Sequence, residues 1–515
     1  MLSIDRIMPS NNLIIWVPLL FLCSSLLLLK TIRKHSKPNN KLLPPTPPKL
    51  PLLGHLHLIG SLPHRSLSQL SKKYGPVMLL QLGSVPTIVI SSAAAARELF
   101  KFHDLASCSR PPLHANGRLS YNYLDMSLAP YGEHWRNVRK ICMLELFSAR
   151  RVESFQEIRE EEVGRLVNSI SQSSSSSSPI DVSEKSYSLT ANIITRVAFG
   201  SIFSGGKLDD EHFQHVMHSA LAAIGSFSMT DFIPTLGWII DRLKGVHGRL
   251  EKSFGEMDAF FEHVVEDRIN FKKSCKKEEN IVDVLLRMER ESSESDALKV
   301  TKDCVKALIM DIFLAGVESG AGTIVWAMSE LIRNPRVMKK LQDEIRSCIK
   351  KDSVKEMDLE KLEYLKMVVK EVLRLHPPAP LLLPRETISP FKLNGYDIDP
   401  KTHLHINMWA IGRDPQSWTD PEEFFPERFI GSNINYKGQH FEFLPFGGGR
   451  RICPGMNMGI LMMELALANL LFCFDWKLPN GMKEEDVDME EDGGLTVTKK
   501  SLLKLIPVLS TNFNF

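Results

Sequence analysis

The apolar positions of the chain fall mainly into helical stretches, with short alternating runs in two places. Thr301 can cap a run that passes Ile312, Phe313, Leu314, Ile324 and Trp326 to Arg333, where Asn334-Pro335 stops it. A helix of over 30 residues, so apolar and without a heptad, must cross the middle of a domain. Asp358 to Leu375 predicts a second helix, ended by His376-Pro377-Pro378. Alternation near residues 77–91 and 381–406 predicts strands. The expected class is mainly α with a small β portion.

The N-terminus breaks this pattern. Leu13 to Leu29 is a run of 17 uncharged residues, spanning about 26 Å as a helix. A cleaved signal peptide is the alternative, but only Asp5 and Arg6 precede the run and no small-x-small site follows it. Lys30, Arg33, Lys34, Lys37 and Lys41 lie on its far side, which holds the rest of the chain on the cytoplasmic face. Pro44, Pro45, Pro47, Pro48 and Pro51 then make a stiff strut. The expected organisation is a transmembrane signal anchor over 1–30, a basic and Pro-rich hinge over 31–59, and one large catalytic domain over 60–515. The serine run Ser171 to Ser178 reads as a surface loop inside that domain, because composition does not change across it.

Composition narrows the chemistry by exclusion. A net charge of +2 without a basic stripe gives no reason to expect nucleic acid as a partner. The eight cysteines form no CxxC pair and are spread along the chain, so neither a disulfide framework nor a zinc cluster is expected.

Three segments carry candidate chemistry. Ala315 to Thr323 places three glycines and Glu318 in the middle of the long helix, where each glycine costs about 0.8–1 kcal/mol against alanine. Close helix packing explains small residues as well as a ligand does; Glu318 favours the ligand, because a central carboxylate is expensive without a task or partner. Glu371 and Arg374 can face each other at i,i+3, a spacing that also arises by chance. Phe446 to Gly455 (FGGGRRICPG) surrounds Cys453 with glycines and Arg451, and an apolar helical run follows from Met456. Exposed amides in such a turn, with a helix N-terminus behind them, suit a metal-binding thiolate. A plain buried cysteine leaves those glycines and that arginine without explanation.

These residues resemble the cytochrome P-450 family from the anchor to the C-terminus. Phe446, Gly449, Arg451, Cys453 and Gly455 match its haem loop, and Pro426-Glu-Arg-Phe429 resembles a segment whose Arg428 completes a structural set with Glu371 and Arg374. The resemblance implies a haem-binding catalytic domain with haem b on Cys453. It implies that Trp135, Arg139 and Arg385 meet the propionates, and that Ala315-Gly316 leaves room for oxygen. Glu318 and Ser319 would be the catalytic acid–alcohol pair that delivers protons, with serine where the family more often has threonine. Substrate would lie against the loop from Leu113 to Tyr123 and against Phe313, Val317, Ala379, Leu382, Leu383, Leu495 and Val497.

The style of the motifs resembles the plant microsomal members that oxidise specialised metabolites. That implies a single-pass protein of the endoplasmic reticulum membrane, in contact with lipid. Its electrons would come from NADPH and flavins through a separate NADPH-cytochrome P-450 reductase, and its substrate would be small and hydrophobic. A terpenoid is the expected substrate, an alkaloid or phenolic the alternative. Two other readings are a reductase-independent isomerase or dehydratase and a non-catalytic haem carrier. The Glu318–Ser319 pair argues against the first and the Ala315-Gly316 notch against the second.

Overall fold

The computed structural model describes residues 24, 41–174, 178–200, 216, 219–220, 222–225, 228–272, 279–291, 300–479 and 481–510. The anchor expected over 1–30 therefore lies outside the described residues apart from Ser24.

The long helix runs Lys302–Arg333. Thr301 Oγ1 accepts from the Cys304 N–H at 3.2 Å, and Asn334 turns its side-chain amide back onto the Glu330 carbonyl at 2.8 Å. The helix packs against Val182–Phe199 on one flank and Met456–Cys473 on another. Phe313, Ile324 and Trp326 are buried with it in the largest hydrophobic cluster. These two apolar helices have the length of membrane spans, yet each is about four-fifths buried in protein; they are core helices.

The second helix differs from the sequence reading at its start. It spans Glu363–Leu375, and the residues before it form a separate 3-10 turn, Glu356–Lys361. Asp358 caps that turn by accepting from the Lys355 N–H at 3.3 Å. The helix is capped instead from elsewhere in the chain: the Glu344 carboxylate accepts from the Tyr364 and Leu365 N–H groups at 2.7 and 3.0 Å. The serine run also begins differently. The helix Gln156–Ser174 continues into it, with Ser173 Oγ bonding back to the Ser169 carbonyl at 3.1 Å.

The expected strands form one four-stranded sheet and a small hairpin. Val85–Ile90 lies between Val77–Leu82, antiparallel, and His403–Ile406, parallel; Arg385–Glu386 closes the far edge. The near edge is covered by the proline segment. The Leu79 N–H donates to the Pro45 carbonyl at 2.9 Å, and buried His55 bridges the Pro47 carbonyl and the Gln81 N–H at 2.8 and 2.7 Å. A strand edge left open would invite another chain. Here the strut occupies it. The sheet thus fixes Arg385 at one side of the helical body.

Candidate active site

The loop before Met456–Cys473 is held by its backbone and by one carboxylate. The Cys453 N–H donates to the Phe446 carbonyl at 2.9 Å, closing the loop. Gly449 has φ of 64°, and a Cβ there would sit 2.2 Å from Asp104 Oδ1. Asp104 needs that space: it accepts from Arg385 Nη1 at 2.9 Å and from the Arg450 N–H and Nη1 at 3.0 Å each. Around the sulfur, burial pushes the Cys453 thiol up, opposed by a hydrogen bond from the Gly455 N–H and by the Arg139 charge. Burial is the larger effect, so a bound cation is what such a site requires to hold a thiolate.

Cys453 lines a cavity of about 320 Å³. Ala315, Gly316, Ser319, Gly320 and Thr323 of the long helix line the same cavity, as do Ala379, Leu382, Leu383 and Leu495. Arg139, Arg385, Phe446, Arg451 and Gly455 also reach it. Phe313, Val317 and Val497 do not. The long helix gives the cavity a stripe at spacings of three and four, and Phe313 and Val317 fall outside that stripe. Phe313 stacks on Phe199 with ring centres 5.0 Å apart, and the Val317 carbonyl accepts from Thr190 Oγ1 at 3.1 Å. Val497 instead anchors its turn, accepting from Trp326 Nε1 at 3.3 Å and donating to the Pro378 carbonyl at 2.9 Å. Tyr123, at the end of the loop expected to touch substrate, has its hydroxyl on the Leu113 carbonyl at 2.9 Å.

One wall of the cavity is cationic. Arg110, Arg139, Arg385 and Arg451 all line it. Backbone carbonyls hold most of these guanidinium groups: Arg451 donates to Cys108 and Ala129 at 2.8 and 2.7 Å, and Arg110 to Leu383 and Pro384 at 2.7 and 2.9 Å. Arg139 reaches the Ile452 carbonyl at 2.5 Å. Burial, with Arg385 and Arg139 adding to it, pushes Arg451 down to about 9. Burial and the same kind of crowding, from Arg451 and Arg385, push Arg110 well down too. Carbonyl dipoles orient these cations without neutralising them, so the wall favours an anionic ligand. Trp135 does not line the cavity. Its indole N–H donates to the Met126 carbonyl at 2.9 Å, and the Arg451 guanidinium lies 4.1 Å over its ring.

Glu318 also lies off the cavity surface. Its carboxylate accepts from Thr496 Oγ1 and hydrogen-bonds Tyr187. Burial pushes it up to about 7, opposed by the Tyr187 hydrogen bond and reinforced by the charge of Asp492. Ser319 Oγ donates to the Ala315 carbonyl at 2.5 Å, and Thr323 Oγ1 to the Ser319 carbonyl at 2.7 Å. Two successive back-bonds of this kind loosen the helix ladder beside the notch.

The remaining candidates form a separate cluster. Arg374 pairs with Glu371 through two hydrogen bonds of 2.7 and 2.8 Å, and Arg428 Nε adds a third at 2.9 Å. Arg374 also donates to the carbonyls of Gly412, Pro421 and Glu423 at 2.5, 2.6 and 3.0 Å. The set ties the helix to the segment that leads into the Cys453 loop.

Sequence reasoning missed Arg110, Asp104 and Tyr187, and the contact that ties Thr496, in the segment Leu495 to Val497 expected to meet substrate, to Glu318. Arg110 is followed by Pro111-Pro112, which marks only a turn. Thr496 follows Gly493-Gly494 in another turn, and nothing in its spacing ties it to Glu318, 178 positions away. Cys142 lines the cavity as well, but burial and the Asp311 charge push its thiol up, with only weaker help from Arg139. Cys453 is the better metal donor, because the Gly455 N–H points at its sulfur.

Known proteins resemble this chain along most of its length. The profile of the family described as cytochrome P-450 matches residues 44–505. The chain is 51% identical over 497 residues to cytochrome P-450 71B35 of Arabidopsis thaliana, covering 96% of this chain and 98% of that protein. It is 51% identical over 482 residues to cytochrome P-450 71B34 of the same plant, covering 93% and 96%. Among solved structures, a zebra fish cytochrome P-450 with progesterone superposes with a TM-score of 0.73 at 24% identity, covering 87% of this chain and 99% of that one. At that identity the likeness shows the fold.

Proposed function

The chain belongs to the cytochrome P-450 family and is a monooxygenase with a haem cofactor, and we propose that it is anchored in the endoplasmic reticulum membrane and oxidises a small hydrophobic plant metabolite. The observation that carries the assignment of residues is a single cavity with Cys453 on one wall and Ala315, Gly316 and Ser319 on another. When bound, haem supplies the activation of molecular oxygen.

The residues present fit that group. Cys453 is the metal donor, and the Gly455 N–H tempers its charge. Arg110, Arg139, Arg385 and Arg451 offer the two propionates a cationic wall; Arg385 is already paired with Asp104, and Asp311 lines the same cavity. Trp135 stiffens Arg451 from behind. Ala315 and Gly316 leave the opposite wall low. Glu318 and Ser319 supply protons there: Glu318, near 7, is able both to give and to regain a proton at neutral pH. Electrons reach the site from NADPH through a separate flavin-containing reductase.

The rest of the lining supports an aliphatic substrate. Ile194, Ile224, Leu308, Leu314, Leu382 and Leu495 are branched and apolar. Such a lining, aliphatic apart from Phe147 and Phe446, gives area and shape with few stacking partners, which favours a terpenoid over a phenolic or an alkaloid. Leu13 to Leu29 supports the anchor by its length and by the lysines and arginine after it.

The test begins with the reduced protein under carbon monoxide. The expected result is the red-shifted Soret band of thiolate ligation, lost in Cys453→Ala and kept in Cys142→Ser. The reverse would move the ligand to Cys142. With reductase present, NADPH and oxygen should be consumed together when a terpenoid panel is offered; turnover of a hydroperoxide without reductase would overturn the monooxygenase assignment.

A further inference from the structure

Glu318 and the cavity it is expected to serve are not in contact. The cavity is lined by its neighbours Gly316, Ser319 and Gly320, while the Glu318 carboxyl is turned toward Tyr187 and Thr496. Thr496 is the group that touches both: its hydroxyl bonds Glu318 Oε2, and the residue itself lines the cavity beside Leu495.

We propose that Thr496 is a proton relay, passing protons from Glu318 to the cavity during oxygen reduction. This rests on the reading of Glu318 as the proton source given above.

Two hydroxyls on the long helix are the obvious competitors, and both are engaged. Ser319 Oγ donates to the Ala315 carbonyl at 2.5 Å, and Thr323 Oγ1 to the Ser319 carbonyl at 2.7 Å. All three hydroxyls must release a hydrogen bond they donate, Thr496 the one it gives to Glu318, but Thr496 is the one of the three bonded to the acid itself. The turn that carries Thr496 is fixed on both sides. Behind it, Val497 is bound to Pro378 and Trp326. Ahead of it, a Cβ on Gly493 would come 2.4 Å from the Ser61 carbonyl oxygen, so the chain there lies tight against the residues before Pro63–Tyr74. A relay hydroxyl needs this kind of fixed placement, because proton transfer falls off steeply once the hydrogen bond is lost.

The step balances without a further reagent. The Thr496 O–H bond breaks toward a base formed in the cavity, while the Glu318 O–H bond breaks and its proton re-forms the Thr496 hydroxyl. Thr496 ends unchanged and Glu318 ends as a carboxylate. Exposed Asp492, whose charge is felt by Glu318, marks the solvent side from which the carboxylate regains its proton.

The experiment uses the full chain with reductase and a substrate found by binding spectra, in Glu318→Gln, Thr496→Val and Thr496→Ser. Two quantities are read: the share of NADPH electrons appearing as hydrogen peroxide, and the infrared carboxyl band of Glu318 in the resting protein, identified by its loss in Glu318→Gln. Thr496→Val should raise the peroxide share several-fold and shift the Glu318 band, and Thr496→Ser should restore both. If Glu318→Gln uncouples but Thr496→Val does not, the relay is wrong and the acid stands. If Glu318→Gln leaves coupling unchanged, the acid itself is misassigned. A shifted band with normal coupling reduces Thr496 to a structural partner and also overturns the relay.

Discussion

Arg374 grips Glu371 with two parallel hydrogen bonds, Nε to Oε2 at 2.7 Å and Nη2 to Oε1 at 2.8 Å, and both side chains have 0% exposure. In water such an i,i+3 pair is worth a few tenths of a kcal/mol. Buried, its value changes character, because removing one partner strands the other charge. Glu371→Ala leaves Arg374 and Arg428 facing each other without a carboxylate and should cost about 3–5 kcal/mol. The expected readout is a fall in thermal midpoint and in the yield of haem-loaded protein. A midpoint equal to that of the unaltered chain would mean that the backbone carbonyls alone satisfy Arg374.

The cationic wall gives a second prediction. Arg110, Arg139, Arg385 and Arg451 crowd one side of the cavity, and their crowding is relieved by an anionic ligand. Arg451→Ala should therefore weaken haem retention, seen as a lower haem-to-protein ratio after prolonged dialysis. Haem-free Arg451→Ala should lose little stability, because the buried cation it removes is held by backbone carbonyls and the Trp135 ring and not by a hydrogen-bonded carboxylate. A large loss of stability without haem would assign Arg451 to the fold instead of the ligand.

Ser319 separates helix geometry from proton delivery. Its hydroxyl is bonded to the Ala315 carbonyl beside the notch. Ser319→Ala should keep the carbon monoxide spectrum and raise the peroxide share, but by less than Glu318→Gln, whose carboxyl is the source of the proton. Coupling identical to that of the unaltered protein would remove this hydroxyl from the path.

Stability should depend on pH through Glu464. This carboxyl lies buried on Met456–Cys473, and burial pushes it up to about 7, with Lys366 and Lys370 opposing. A carboxyl raised on folding favours the native state fully below its unfolded value of 4.5, and that contribution is lost as pH rises through about 7. Between pH 6 and 8 the loss is on the order of 1 kcal/mol. Glu464→Gln should therefore be more stable than the unaltered chain at pH 8 and closer to it at pH 6, as measured by denaturant midpoints. An equal difference at both values would show that Glu464 does not titrate in this window.

The long helix, its Thr301 cap and its stop at Asn334-Pro335 were legible because they depend on neighbours in the chain: a hydroxyl three residues from an amide, a proline without one, an apolar run. The loop from Phe446 to Gly455 was legible for the same reason. Gly447 and Gly449 meet a local demand for positive φ, and a family resemblance recorded there could be read residue by residue. Local signals failed where distant groups intervened. The second helix begins at Glu363 because Glu344 caps it from another helix, and Asp358 is spent on a turn.

The site divides along the same line. Sequence by itself determined which residue types were present: Cys453 among glycines, Glu318 and Ser319 in a helix of small residues, and arginines in the motifs around Trp135, Glu371, Pro426 and Cys453. Only the tertiary structure decided which of them meet. Phe313 and Val317 share a helix with Ser319 but point to another face, and Trp135 supports Arg451 from behind the cavity wall. Arg110 joined the arginines, and Thr496 joined Glu318, through contacts that span 273 and 178 positions. A helix has a fixed period, so sequence can give the facing of its residues relative to one another. Which face meets the cavity depends on the helices and turns packed around it, and that choice is made by burial across the whole domain.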